Sequence, residues 1–220
     1  MLEAVGAVLP YAVGAAVSPL LFTIEVIILA GGVQPKLRAW IYVAGAACVA
    51  VVVIALVALV FQGASPSDSG PSPFARGVEV TAGLALAALA VRAFLPRHPG
   101  ESSHPGRLHE LMLKGRGRTF FVIGMIMMAT NASSIVIMIP GIHAVEAARP
   151  GLVPALVALS VLLVFVMIPA LVPVGIVTVM GARSDALLAR LNHFVGKHSR
   201  TITGLICGAI AAYLIVSALR

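Results

Sequence analysis

Between Tyr11 and Gly32 the sequence YAVGAAVSPLLFTIEVIILAGG sets a phenol, a hydroxyl, a proline and a carboxylate in an otherwise apolar stretch. Gly14, Ser18 and Glu25 stand at i, i+4 and i+11, with Tyr11 about one turn earlier, so an unbroken helix would present them on one face. That face could form one wall of a polar path through an apolar medium. Glu25 has no cation near it in sequence. A carboxylate in a membrane is costly unless partnered or protonated, and it marks an ion or substrate pathway. The structural alternative is a protonated Glu25 hydrogen-bonded to a neighbouring helix. Pro19 cannot donate the backbone hydrogen bond that a helix expects, which frees a carbonyl near Ala15. Membrane helices tolerate this where neighbouring helices, hydroxyls or water satisfy the freed group. Ser18, Pro19 and Glu25 are therefore expected to face protein or a wet cavity.

A second polar cluster, Thr130, Asn131, Ser133 and Ser134, interrupts another apolar run. Asn both donates and accepts, which suits a substrate head group or a broken helix end. Interhelical hydrogen bonding is the plainer role for such residues. His143, just past Pro140-Gly141, could gate a path or relay a proton, or simply sit where the membrane interface tolerates it. Pro169 and Pro173, one turn apart, should bend or break their helix near its centre, as a hinge or as fixed shape. With Pro140 they form the candidate hinge set. Enzymatic readings find little support: there is no HExxH, GxSxG or P-loop. Ser133 or Ser134 with His143 would be about 13 Å apart or more along one helix axis, too far for nucleophile and base. The chain reads as a non-enzyme without cofactor or metal.

The elements that must position these residues are membrane-spanning helices. Of 220 residues, 60% are hydrophobic and only 10% charged, with a mean hydropathy of +1.07. Soluble domains carry about a quarter charged residues. The net charge of +7 gathers in short loops between apolar runs, a pattern that orients membrane proteins and speaks against nucleic-acid binding. Met1-Leu2-Glu3 lacks a basic leader, so the first helix is expected to be retained.

Six apolar runs, about 4–32, 39–62, 77–95, 119–148, 152–181 and 201–219, can each cross a bilayer once. Twelve Lys and Arg lie on one side: Lys36, Arg38, Arg92, Arg97, Arg107, Lys114, Arg116, Arg118, Arg183, Arg190, Lys197 and Arg200. Only Arg76, Arg149 and Arg220 lie on the other. This asymmetry places the first set in the cytoplasm and both termini outside, in a multi-pass protein of the cytoplasmic membrane. Residues 1–95 and 119–220 each hold three runs, so the second half enters from the opposite face. That arithmetic, with a break in the first helix of each half, predicts an all-α fold of two inverted three-helix repeats and a central binding site.

The connectors contribute less. Residues 62–74 read as a flexible Pro/Ser/Gly linker. The basic loop 96–118 contains His98, His104 and His109, whose spacing fits no standard metal pattern. Residues 183–200 read as an amphipathic helix lying on the inner head groups, or packed on cytoplasmic loops. Ser184 or Asp185 would cap its start. Gly204 and Gly208 form a GxxxG spacing, for packing within one protomer or for a homodimer seam. Cys48 and Cys207 read as small core residues.

The run SPLLFTIEVIILAGGVQPKLRAWIYVAG from Ser18 resembles the opening of the lysine-exporter (LysE) superfamily, and most of all its GAP branch, the sulfolipid-1-addressing and glycopeptidolipid-addressing proteins. The run IGMIMMATNASSIVIMIPGIHAVEAA from Ile123 is similar to the family's fourth helix, where an Asn sits at the break. The prolines and closing helices from Leu163 onward are similar too. The resemblance implies a six-helix secondary transporter that moves solute outward, with Ser18, Pro19 and Asn131 on the two half-repeat breaks. For the GAP branch it implies help in moving envelope glycolipids to the surface. Asn131 is followed by Ala132 where amino-acid exporters often have proline, which argues against an amino-acid cargo. The leading expectation is an exporter of a lipid-linked or amphipathic envelope molecule, with membrane lipids as its surroundings. The alternatives are an amino-acid or ion carrier coupled through Glu25, and a non-transporting scaffold for lipid synthesis.

Overall fold

The computed structural model describes residues 2–31, 34–63, 73–94, 115–148, 151–181 and 184–218. Among them the secondary structure is entirely helical: α1 (Leu2–Ala15), α2 (Pro19–Ala30), α3 (Pro35–Gly63), α4 (Pro73–Phe94), α5 (Gly117–Ala129), α6 (Ala132–Ala147), α7 (Leu152–Met180) and α8 (Ser184–Ala218). Three of these, over Pro35–Phe61, Leu152–Met180 and Ala186–Val216, are long and apolar enough to cross a membrane. The number rises to five if the bent pairs α1–α2 and α5–α6 each count as one crossing. The chain is a multi-pass membrane protein. Its outer faces fit that reading, because Leu56, Leu84, Leu152 and Val179 turn apolar side chains outward, a surface that lipid rather than water would cover.

The first break follows from local chemistry. Proline pushes the residue before it out of the helical region, and Ser18 is extended at φ −126° and ψ 93°. Pro19 then occupies the first turn of α2, where its missing N–H costs nothing. The Ser18 Oγ accepts from the Leu21 N–H at 3.5 Å, and the two helix axes meet at 60°. The second break has no proline. Thr130 closes α5 and donates its hydroxyl back to the Ile126 carbonyl at 2.8 Å, a local bond that competes with helix continuation. Asn131 precedes α6, and the bend is 65°.

The packing intermixes the two halves of the chain. α4 runs along α8, α3 along α5, and α1 lies against both α6 and α7. At the α3–α5 crossing Gly45 sits on the Phe121 backbone and Gly124 on the Tyr42 backbone, so neither position has room for a Cβ. Backbones approach this closely only where side chains are absent. Gly204 and Gly208 face Phe94 and Ala90 of α4, so the GxxxG spacing serves the internal α4–α8 contact.

Two expectations change, for residues 184–200 and for Cys48. Residues 184–200 are no separate amphipathic helix: they continue without a break into the last crossing, giving one helix of 35 residues. Gly196, the lone weak point between them, is insufficient to stop it. Pro169 and Pro173 lie inside α7, which runs unbroken through both, and both are buried among neighbouring helices. Pro140 likewise sits inside a continuous α6. Cys207 is buried as expected, whereas Cys48 is exposed on the outer face of α3. His98, His104, His109, the side chain of Asp185 and most of the loops 62–74 and 96–118 lie outside the described residues.

Candidate functional site

The two breaks meet. Asn131 Nδ2 donates to Ser18 Oγ at 2.9 Å, across 113 positions of sequence, and also to Ser134 Oγ at 2.9 Å. Ser133 Oγ donates to Asn131 Oδ1 at 3.1 Å. Ser134 Oγ in turn donates to the Ala15 carbonyl at 3.4 Å. Ala15 is the residue whose carbonyl Pro19 leaves without a helical donor, so a hydroxyl from the second break satisfies the defect of the first. Ser18, Asn131 and Ser134 are all buried, where an unpaired polar group would be expensive. Each side chain here has a partner.

Beside this junction is a cavity of about 430 Å³. Ser18, Pro19 and Thr23 line it from the first break and α2, and Thr130, Asn131 and Ser133 from the second break. Arg92 from the last turn of α4 and Ser199, Arg200 and Thr203 from α8 complete the polar part of the wall. Among the described residues no carboxylate lines it. Its remaining surface is mostly apolar, from residues such as Leu20 and Leu89. The cavity is thus an amphipathic container, hydroxyl- and amide-lined at the breaks and cationic toward α4 and α8.

Of the residues singled out from sequence, Ser18, Pro19, Thr130, Asn131 and Ser133 border the cavity. Ser134 sits behind them, bonded to Asn131. Tyr11, Glu25 and His143 are elsewhere. The supposed common face of Tyr11, Gly14, Ser18 and Glu25 does not exist, because the 60° bend separates α1 from α2. Tyr11 packs beside Gly141 of α6 and edge-on to Tyr213, with ring centroids 6.1 Å apart. Gly14 faces Ile210 of α8. The His143 ring packs against Phe61, with centroids 4.8 Å apart and planes tilted by 51°. Glu25 is fully buried in α2, and neither carboxyl oxygen has a hydrogen-bond partner among the described residues. The hinge candidates Pro140, Pro169 and Pro173 are core positions away from the cavity.

Arg92 and Arg200 enter the site unannounced. Their sequence signal was present in the form of two cations bordering apolar runs, but it served equally well to orient the chain. A search of curated proteins and a search of solved structures each found no match. The family model described as Sap, sulfolipid-1-addressing protein, matches residues 8–220, a span that includes both breaks and every wall of the cavity. The chain belongs to the Sap, sulfolipid-1-addressing protein family.

Proposed function

We propose that the chain is a carrier that moves a lipid-linked or amphipathic envelope molecule outward across the cytoplasmic membrane by alternating access. The observation that carries this reading is the Asn131–Ser18 bond joining two broken helices beside a cavity. Paired breaks in corresponding helices are where secondary transporters place their substrate. The family name adds sulfolipid addressing as the kind of cargo. On this reading α4, whose apolar part is Val80–Phe94, supplies a sixth crossing. The Lys/Arg-rich ends face the cytoplasm.

Helix pairing supports an inverted repeat. Exchanging the halves maps α3–α5 onto α7–α1, α2–α7 onto α6–α3, and α4–α6 onto α8–α2, and all these pairs touch. The largest departure from that reciprocity is at the breaks. α1 and α6, the half-helices on the outer side, pack extensively, whereas α2 and α5 on the inner side barely meet. The cavity takes residues from α2 and none from α1. This inequality is what a carrier closed to the outside and open to the inside would have, and its opposite state would separate α1 from α6.

The test compares surface lipid extracts of a deletion strain, its parent, and strains restored with wild-type chain or with Asn131→Ala. Loss of a surface lipid that only the wild-type chain restores is the expected result. Unchanged surface lipids with altered efflux of a labelled amino acid would favour the second reading, a small-solute carrier coupled through Glu25. That reading draws on the fully buried carboxyl group, which has no hydrogen-bond partner among the described residues. Full restoration by Asn131→Ala would instead favour a scaffold that transports nothing.

A further inference from the structure

The cavity carries a charge pattern that the carrier reading alone does not require. Two guanidinium groups, Arg92 and Arg200, line it, and among the described residues no carboxylate joins them in the wall. Among the described residues neither has an ion-pair partner. Cations at the inner ends of membrane helices orient a chain wherever they point, yet these two, from different helices, border the same cavity as the Asn131 junction. The floor favours negative charge as well. Ala132 and Ser133 open the 16-residue α6 at the cavity wall; the Ala132 N–H is taken by the Thr130 carbonyl at 2.9 Å, while Asn131 puts no side-chain cap on the N–H groups that follow, its amide being turned toward Ser18. First-turn N–H groups and the positive end of the helix dipole stabilise an anion, and guanidinium groups bind tetrahedral oxyanions through paired N–H donors.

We propose that Arg92 and Arg200 hold the oxyanion of the cargo's head group, a sulfate or phosphate ester, in this cavity while its apolar part leaves between the helices. The assignment rests on the carrier reading and adds to it the residues that hold the head group. A sulfate or phosphate ester suits a cavity lined by two cations, with no carboxylate among its described lining residues, better than a neutral sugar head does.

The test uses the purified full chain in phosphatidylcholine nanodiscs and three fluorescent single-chain amphiphiles of equal chain length. Their heads are a sulfate ester, a phosphate monoester and a neutral sugar, and binding is read by fluorescence anisotropy. The sulfate or the phosphate probe should bind at least about tenfold more tightly than the sugar probe, the worth of one charge-assisted hydrogen bond. Arg92→Gln and Arg200→Gln should each remove about tenfold of that preference and leave the sugar probe unchanged, whereas the lysine replacements retain part of it. Arg38→Gln, whose guanidinium lies over Phe120 outside the cavity, should change nothing. Inorganic sulfate binding as tightly as the sulfate amphiphile would keep the anion site and assign it to a free ion. Equal binding of all three heads, or a preference untouched by both glutamine variants, overturns the assignment while leaving the carrier reading intact. Failure of every probe to bind the folded wild-type chain overturns both.

Discussion

Replacing Asn131 by alanine removes three hydrogen bonds at once, those to Ser18, to Ser134 and from Ser133. Side-chain hydrogen bonds between membrane helices average about 0.6 kcal/mol, so Asn131→Ala should cost about 2 kcal/mol of stability. Ser18→Ala loses one of those bonds and the cap of α2, together about 1.5 kcal/mol. If the Asn131–Ser18 bond exists, the double variant counts it only once. The two losses should then fall short of additivity by about 0.6 kcal/mol, and by no more than about 1.7 kcal/mol. Reversible unfolding of the four proteins in mixed micelles measures this, and export by the same four in cells measures its use. Strict additivity would mean that the two breaks do not touch. Export by Asn131→Ala at the wild-type level, with the predicted loss of stability, would mean that the junction is structural only.

Ser134→Ala should cost about 1 kcal/mol, less than Asn131→Ala, because it strips the Ala15 carbonyl of its donor; the same unfolding measurement checks it. Glu25→Leu should raise stability by about 1 kcal/mol, since two buried oxygens without partners are replaced by apolar volume. A lower midpoint in the unfolding curve would reveal a partner for that carboxyl group. Gly45→Ala and Gly124→Ala should each cost more than about 2 kcal/mol, as the new methyl meets backbone. Gly14→Ala, which meets only the movable end of Ile210, should cost less than about 1 kcal/mol. The fraction of chain still monodisperse after heating in detergent ranks the three, and equal loss for Gly14→Ala and Gly45→Ala would contradict the α3–α5 crossing.

Much of this was legible before any coordinates. The Ser18-Pro19 dipeptide dictates its own break, because a proline ring excludes the helical conformation before it and withholds a donor after it. Even the carbonyl left over, that of Ala15, could be named from the four-residue offset. The Thr130–Ser134 cluster was likewise legible as a second break, from polar side chains that compete for their own backbone. The prolines of α7 mark a weakened helix in the sequence, and α7 continues through both Pro169 and Pro173, which are held in the core. The amphipathic stretch before the last crossing misled: a change of polarity along a helix is no breaker, and only Gly196 stands in the way of its continuation.

The amino-acid sequence determined by itself that this chain lives in a membrane and that its first and fourth apolar runs are broken, because those properties belong to single residues and their near neighbours. Tertiary structure alone decided that the breaks bond to each other, that Tyr11, Glu25 and His143 are absent from the cavity, and that Arg92 and Arg200 line it. Contacts across more than a hundred positions depend on how whole helices pack, and a 60° bend redirects every side chain beyond it.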